Sequence, residues 1–261
     1  MGTVTKALNL LDQFSSDRPE IGLSDMGRLT GHDKATVFRY LAELEAGGFV
    51  EQDSRTRCYR LGPAVLRLAA VRRDTVPSQQ AIADLVSRMA ERLDELVHVS
   101  QLVREGLTTL CHSDSRSHAT RVTFDPGEVL PLHATASGIA VLAFGPAGLF
   151  ETVMNGPLAG FTTNTAMTRD SLLSAVQVAR QTGFSLGNAT FDEGVQSIAL
   201  PLFAGGSDAF GAVAVAFPEM RESIELRRDI KTLLPHAAVE ISTTLGGAVP
   251  RELLDRWHAP D

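Results

Sequence analysis

The chain has 261 residues, 44% of them hydrophobic, and a formal charge of −7, the balance of a globular protein long enough for two cores. No apolar run approaches the ~18 residues of a membrane helix, and the start of the chain carries no apolar signal core. Two cysteines, Cys58 and Cys111, fall on different predicted domains, which excludes a disulfide framework and suits the cytoplasm.

The first informative stretch runs from Leu23 to Leu61. Ser24 is expected to cap a short helix, with Asp25 in its first turn and Met26 and Leu29 sharing a buried face. Gly31 suits a left-handed C′ position, and Asp33 is expected to cap a second helix reaching about Ala46, ended by Gly47-Gly48. Val37, Leu41 and Leu44 fall at i, i+4 and i+7 and face a core. Ala35, Arg39 and Ala42 then lie opposite, flanked by Thr36 and Phe38, with Lys34 at the helix start. Small residues let such a helix approach base edges. Arg39 can donate to guanine or phosphate, while Lys34 and Thr36 can hold phosphates. Phe49–Asp53 and Cys58–Leu61 read as a hairpin around a polar tip, Ser54-Arg55-Thr56-Arg57, whose arginines suit a phosphate backbone or a narrow minor groove. Cap, glycine turn and hairpin together predict a winged helix-turn-helix. Charge agrees: residues 34–73 hold 8 basic and 4 acidic side chains in an otherwise acidic chain.

Pro63 opens a predicted linker helix through Arg73, with Leu68 and Val71 among its apolar positions, and Thr75–Ser78 breaks it. Ser78 is expected to cap a long amphipathic helix through about Val97, with Ile82, Leu85, Met89, Leu93 and Leu96 at helical spacing. Val97–Val103 and Thr108–His112 then read as strands around a turn at Glu105-Gly106, and Arg121–Phe124 as another. Thr135–Phe144 reads as a small-residue helix. Thr168 is expected to cap a helix that Gly183 ends. Val195–Phe203 and Phe210–Phe217 read as strands, and Ser223–Leu245 as a long helix with Pro235 as a candidate interruption. The expected class is α+β: a winged helix-turn-helix domain over 1–62, a linker helix over 63–77, a mixed α/β domain over 78–248, and a C-terminal tail over 249–261.

The chain resembles the IclR family of bacterial transcriptional regulators. Thr5–Phe14 resembles the family's first helix, and Lys34–Leu41 its recognition helix. Tyr59–Pro63 is similar to the end of its wing, and Leu130–Gly138 and Gly194–Phe203 to its two effector-domain blocks. The resemblance covers nearly the whole chain in order. It implies a GAF-like effector-binding domain, binding to a palindromic operator as a homodimer that can pair into a dimer of dimers, and no cofactor. By matching positions it implies a pocket walled by Ala119 and Val122. Ala136 and Ser137 at a helix start would offer backbone N–H groups to a carboxylate. His133 lies in the matching block, and Gly187, Asn188, Val195, Ser197, Ala214 and Ala216 would complete the lining.

Here the chain departs from the pattern. Members that bind small oxoacids often carry an acidic residue near 187, cysteine at 197 and serines near 214 and 216, whereas this chain has Gly187, Ser197, Ala214 and Ala216. Loss of these polar anchors favours a larger or more apolar ligand, such as an aromatic acid or a hydrophobic metabolite, over a small organic oxoacid. Other chemistry is sparse. His98, His112, His118, His133 and Cys111 match no zinc spacing, so no metal is expected. Asp192-Glu193 reads as a solvated turn. No phosphate loop, dinucleotide fingerprint or nucleophile elbow is present. The competing reading is a small-molecule enzyme on the GAF-like domain, a thiol-based reductase, against which the lack of clustered cysteines speaks.

Overall fold

The computed structural model describes residues 2–104, 106–115 and 117–259. The chain divides into two compact units, Met1–Pro77 and Ser78–Asp261.

The first unit begins with α1 (Thr3–Leu11), α2 (Leu23–Thr30) and α3 (Lys34–Ala46). A small antiparallel hairpin follows, β1 (Val50–Gln52) and β2 (Tyr59–Leu61), and then α4 (Pro63–Thr75). Leu10, Ile21, Met26, Val37, Tyr40, Leu41, Val50 and Tyr59 form its core. Ile21 exchanges both backbone hydrogen bonds with Tyr59, each 2.9 Å, so a short third strand seats the wing against the helices. That pairing moves the start of α2. The chain leaves Ile21 and enters the helix directly, with Gly22 as N-cap and no side-chain cap, so Ser24 lies inside the helix rather than capping it. Leu29 is exposed, and Met26 alone carries the buried face of α2. Gly31 adopts φ +69°, the left-handed C-cap expected of it. Asp33 caps α3 by accepting from the Thr36 N–H at 2.9 Å. Tyr40 joins Val37 and Leu41 in the core, while Leu44 is only partly buried. On α4, Leu66, Leu68 and Val71 are exposed within this unit.

In the second unit, α5 (Pro77–Leu93) leads into β3 (Leu96–Val103) and β4 (Gly106–Ser113). The helix ends four residues before Val97 because Asp94 takes φ +58°. There Asp94 is held by the Ser115 hydroxyl and His118, and Arg221 donates to its carbonyl at 3.3 Å. Glu105, half of the turn expected between the strands, lies outside the described residues. Arg121–Phe124 forms no strand; it belongs to an irregular crossing that precedes β5 (Leu130–Pro131). Then come α6 (Ala136–Phe144), α7 (Leu149–Asn155), α8 (Arg169–Thr182), β6 (Ser185–Asn188), β7 (Val195–Phe203), β8 (Ala209–Pro218), α9 (Ile224–Thr244) and α10 (Arg251–Trp257). Thr168 caps α8 with a full capping box, and Gly183 ends it at φ +78°. Ser223 caps α9, which runs through Pro235 without a break. The segment expected to be a tail instead folds into α10, where Leu253 and Trp257 enter the core.

The strands form one antiparallel six-stranded sheet in the order β5-β4-β3-β8-β7-β6. Side-chain alternation gives this sheet two unlike faces. Val97, Val99, Ile198, Leu200, Val213, Val215 and Phe217 point one way and pack against α5, α9 and α10. The other face is small: Ala199, Ala212 and Ala214 pack under α6 and α8. The short side chains let α6 approach closely. A Cβ at Gly138 would come within 2.4 Å of the Leu132 carbonyl oxygen, so only glycine fits there.

Candidate functional site

On the first unit, α3 presents Lys34, Ala35, Phe38 and Arg39 to solvent. Phe38 is 55% exposed despite its size, unusual for an aromatic side chain with no surface task. The Arg39 guanidinium lies 5.2 Å from the Tyr40 ring centroid, a cation–π contact that steadies the side chain on the exposed face. Thr36 differs from expectation: its hydroxyl donates to the Asp33 carboxylate at 2.8 Å and serves the cap. These bonds from Thr36 hold the Asp33 carboxyl below the ordinary carboxylate range. The wing tip is likewise organised by one carboxylate. Asp53 accepts from the N–H groups of Arg55 and Thr56, at 2.9 and 2.6 Å, and is held acidic by them. Arg57 adopts φ +61° as the tip turns back, and both Arg55 and Arg57 are exposed. Arg60, by contrast, is paired across the hairpin with Glu51 at 2.7 Å.

On the second unit, the small face of the sheet and the start of α6 border a cavity of about 60 Å³. Val122, Ala136, Ser137, Gly187, Val195, Ser197, Ala214 and Ala216 line it. Thr135 builds its floor: its hydroxyl donates to the Pro131 carbonyl at 2.9 Å and accepts from the Gly138 N–H at 3.0 Å. That leaves the first two N–H groups of the helix, at Ala136 and Ser137, as those with no intrahelical acceptor by geometry. Ser185 donates to the Ala136 carbonyl and Thr190 to the Ala134 carbonyl, at 2.7 and 2.6 Å, locking this corner to β6 and the following turn. A Cβ at Gly187 would stand 2.3 Å from Ser197 Oγ, so the serine fills the space that a side chain at 187 would need.

Three expected lining residues fall elsewhere. Ala119 is exposed on the crossing before β5 and does not line the cavity. Asn188 alternates away from Gly187 and is exposed. His133 is buried outside the cavity, with Nε2 2.9 Å from the Ala159 carbonyl oxygen and its ring 6.0 Å from that of Phe161. Sequence reasoning missed His98, Phe124, Phe191 and Asp192, all of which line the cavity. Only the alternation of β3 signalled His98. Phe124 reaches the site through an irregular segment with no periodicity to read. Its ring lies 5.1 Å from that of His98 and 5.2 Å from that of His112. Asp192-Glu193 is exposed in a turn, as expected, and Asp192 also borders the cavity, where desolvation raises its carboxyl above the ordinary carboxylate value.

Burial pushes the Cys111 thiol up to about 11, the reverse of what a reactive thiolate needs. Among the described residues, no cluster of three His, Cys, Asp or Glu side chains is placed to hold a metal ion, and no helix is long and apolar enough to cross a membrane.

A winged helix-turn-helix on one unit and a partly open cavity on the other define a ligand-responsive DNA-binding regulator. Residues 3–54 match the IclR helix-turn-helix domain and residues 74–243 the bacterial transcriptional regulator IclR C-terminal domain, and the chain belongs to the IclR family. It is similar to the HTH-type transcriptional regulator XynR of Escherichia coli strain K12, 24% identical over 250 residues, covering 94% of this chain and 97% of that protein. The glycerol operon regulatory protein of Streptomyces coelicolor is 27% identical over 246 residues, 94% of this chain and 96% of that one. Among solved structures, a putative IclR transcriptional regulator from Silicibacter sp. TM1040 superposes with a TM-score of 0.88 at 41% identity, covering 96% of this chain and 99% of that one. An IclR homologue from Microbacterium hydrocarbonoxydans, solved with 4-hydroxybenzoate, shares the fold with a TM-score of 0.75 at 22% identity, covering 94% of this chain and 99% of that one.

Proposed function

We propose that this regulator acts in the cytoplasm as a homodimer that places two α3 helices on the half-sites of a palindromic operator and releases or tightens that grip when an effector enters the cavity. The observation that carries the reading is the exposed face of Lys34, Ala35, Phe38 and Arg39 beside an arginine-tipped wing, in a chain whose other unit holds a partly open cavity. In it Arg39 reads a base edge, Lys34 and the wing arginines hold phosphates, and Phe38 covers an apolar edge such as a thymine methyl. Thr36 acts through the cap rather than by touching DNA. The effector changes DNA affinity by the difference between its affinities for the two states.

The effector, in this reading, is more apolar than a small oxoacid. Gly187, Ala214 and Ala216 offer no polar anchors, and Phe124 and Phe191 add aromatic walls. The relative solved with 4-hydroxybenzoate supports a ring-sized ligand for this architecture. The test is fluorescence anisotropy of the purified chain on DNA fragments from upstream of its own gene, over a salt series. Specific, salt-sensitive binding supports the reading; no binding even at low salt overturns it. For the ligand, calorimetry showing tight binding of glyoxylate or pyruvate, and none of ring-sized compounds, overturns the apolar assignment.

A further inference from the structure

We infer that the cavity selects an uncharged effector, a compact apolar body bearing a hydroxyl, carbonyl or amide group that pairs with His98, and that it discriminates against carboxylates. The inference rests on reading this cavity as the effector site.

The first support is a set of orphaned polar atoms. Among the described residues, the buried side-chain atoms without a hydrogen-bond partner are His98 Nδ1, Ser100 Oγ and Thr109 Oγ1. They are neighbours on one sheet face: His98 and Ser100 stand two apart on β3, and Thr109 is paired directly opposite Ser100 on β4. His98 is only 6% exposed and lines the cavity. Buried polar atoms are almost always satisfied; of the three residues only His98 lines the cavity, so it is His98 Nδ1 that calls for a partner there.

The second support is charge. The described lining residues include Asp125, Glu128 and Asp192 and no lysine or arginine. A bound carboxylate would find no cationic side chain among these, with the N–H groups of Ala136 and Ser137 as its main counterweight. An ammonium would find carboxylates at the mouth but an apolar wall within.

The behaviour of the buried imidazole agrees. Burial lowers the His98 imidazole to about 4, with His112 across the strand pair adding to the cost, so a positive charge is disfavoured there. Desolvation also raises the carboxyl of Asp192, which is itself exposed at the cavity's edge. A neutral imidazole offers one donor and one acceptor, a match for a hydroxyl or an amide. Against a relative solved with an aromatic acid, the same architecture here has the polarity of a neutral-ligand site.

The test titrates the full chain by calorimetry with four ring-matched probes: benzyl alcohol, benzamide, benzoate and benzylamine. An Ala214→Leu variant that fills the cavity locates binding, and melting curves check its fold. Benzyl alcohol or benzamide is expected to bind at least tenfold more tightly than benzoate or benzylamine. His98→Phe should weaken the uncharged probes about tenfold, the effect of one lost hydrogen bond, and His98→Gln should restore part of it. Tighter binding of benzoate or of benzylamine overturns the inference. So does failure of both uncharged probes to bind at millimolar concentration, or binding that Ala214→Leu leaves intact. Operator anisotropy on the same samples separates the two levels: cavity ligands that leave DNA affinity unchanged overturn the effector-site reading, whereas a benzoate preference overturns only the charge rule.

Discussion

Arg39 projects from the exposed face of α3 with its guanidinium over the Tyr40 ring, and its removal is expected to weaken operator binding by ~1–3 kcal/mol while relaxing discrimination at one base position. Anisotropy on an operator and on single-base variants checks this; an equal loss on every sequence would make Arg39 a phosphate contact instead. His98 carries a pH signature. Its folded value near 4 lies below the 6.5 of a free imidazole, so the unfolded chain takes up a proton first as pH falls. The stability from keeping this ring neutral is fully present above about pH 6.5 and is lost as pH drops towards about 4. Urea denaturation of the wild type and His98→Phe between pH 7 and pH 4.5 should therefore show a shallower decline in the variant. Comparison of the pair isolates His98 from Glu95, whose burial-raised carboxyl acts in the opposite direction. Neither the role of His98 nor that of Thr36 was legible from residue type. A lone histidine on a strand gives no sign of which loop will cover it, and a threonine three places after an aspartate serves cap and surface equally well until the rotamer is set.

The wing and α10 show what pairing and packing do to whole elements. The arginines at the wing tip are exposed on a loop braced by Asp53, so Arg55→Ala with Arg57→Ala should lower the salt slope of DNA binding by about 2, with little change in melting temperature. An unchanged slope would remove the wing from the interface. The α10 helix is bound to the end of α8 by two hydrogen bonds: Trp257 Nε1 donates to the Gly183 carbonyl at 2.9 Å and the Arg256 guanidinium to the Arg180 carbonyl at 2.5 Å, and a Cβ on Gly183 would stand 2.7 Å from the indole. Trp257→Ala should cost about 3–5 kcal/mol of stability, read by circular dichroism in urea because this is the only tryptophan. The helices α3, α8 and α9 were legible because cap residues and apolar periodicity agree in each. Thr168 and Gly183 bracket α8, and Ser223 starts α9. The segments misread lack that agreement. Ser24 is a good capping residue beside a glycine that the Ile21–Tyr59 pairing makes the true boundary. Arg121–Phe124 has strand-like residues but pairs with no strand, although β5 covers β4 only at Gly106 and Leu107.

For the molecule as a whole, sedimentation of the free chain and of its complex with a palindromic fragment should give two chains per operator; a single chain bound with full affinity would refute the dimeric reading. Local chemistry in the sequence was enough for the architecture. The glycine turn at Gly31, the cap at Asp33, the basic tip at Arg55 and Arg57, and the alternating strands of the second unit are each set by near neighbours, and neighbours are what a sequence displays. Part of the cavity wall was legible through resemblance, since Gly187, Ser197, Ala214 and Ala216 sit on paired strands whose register keeps them on one face. The character of the cavity was decided only by tertiary structure. Residues far apart in the chain, His98, Phe124 and Asp192, meet across it, and the lowered pKa of His98 follows from burial, a property that no local window of sequence contains.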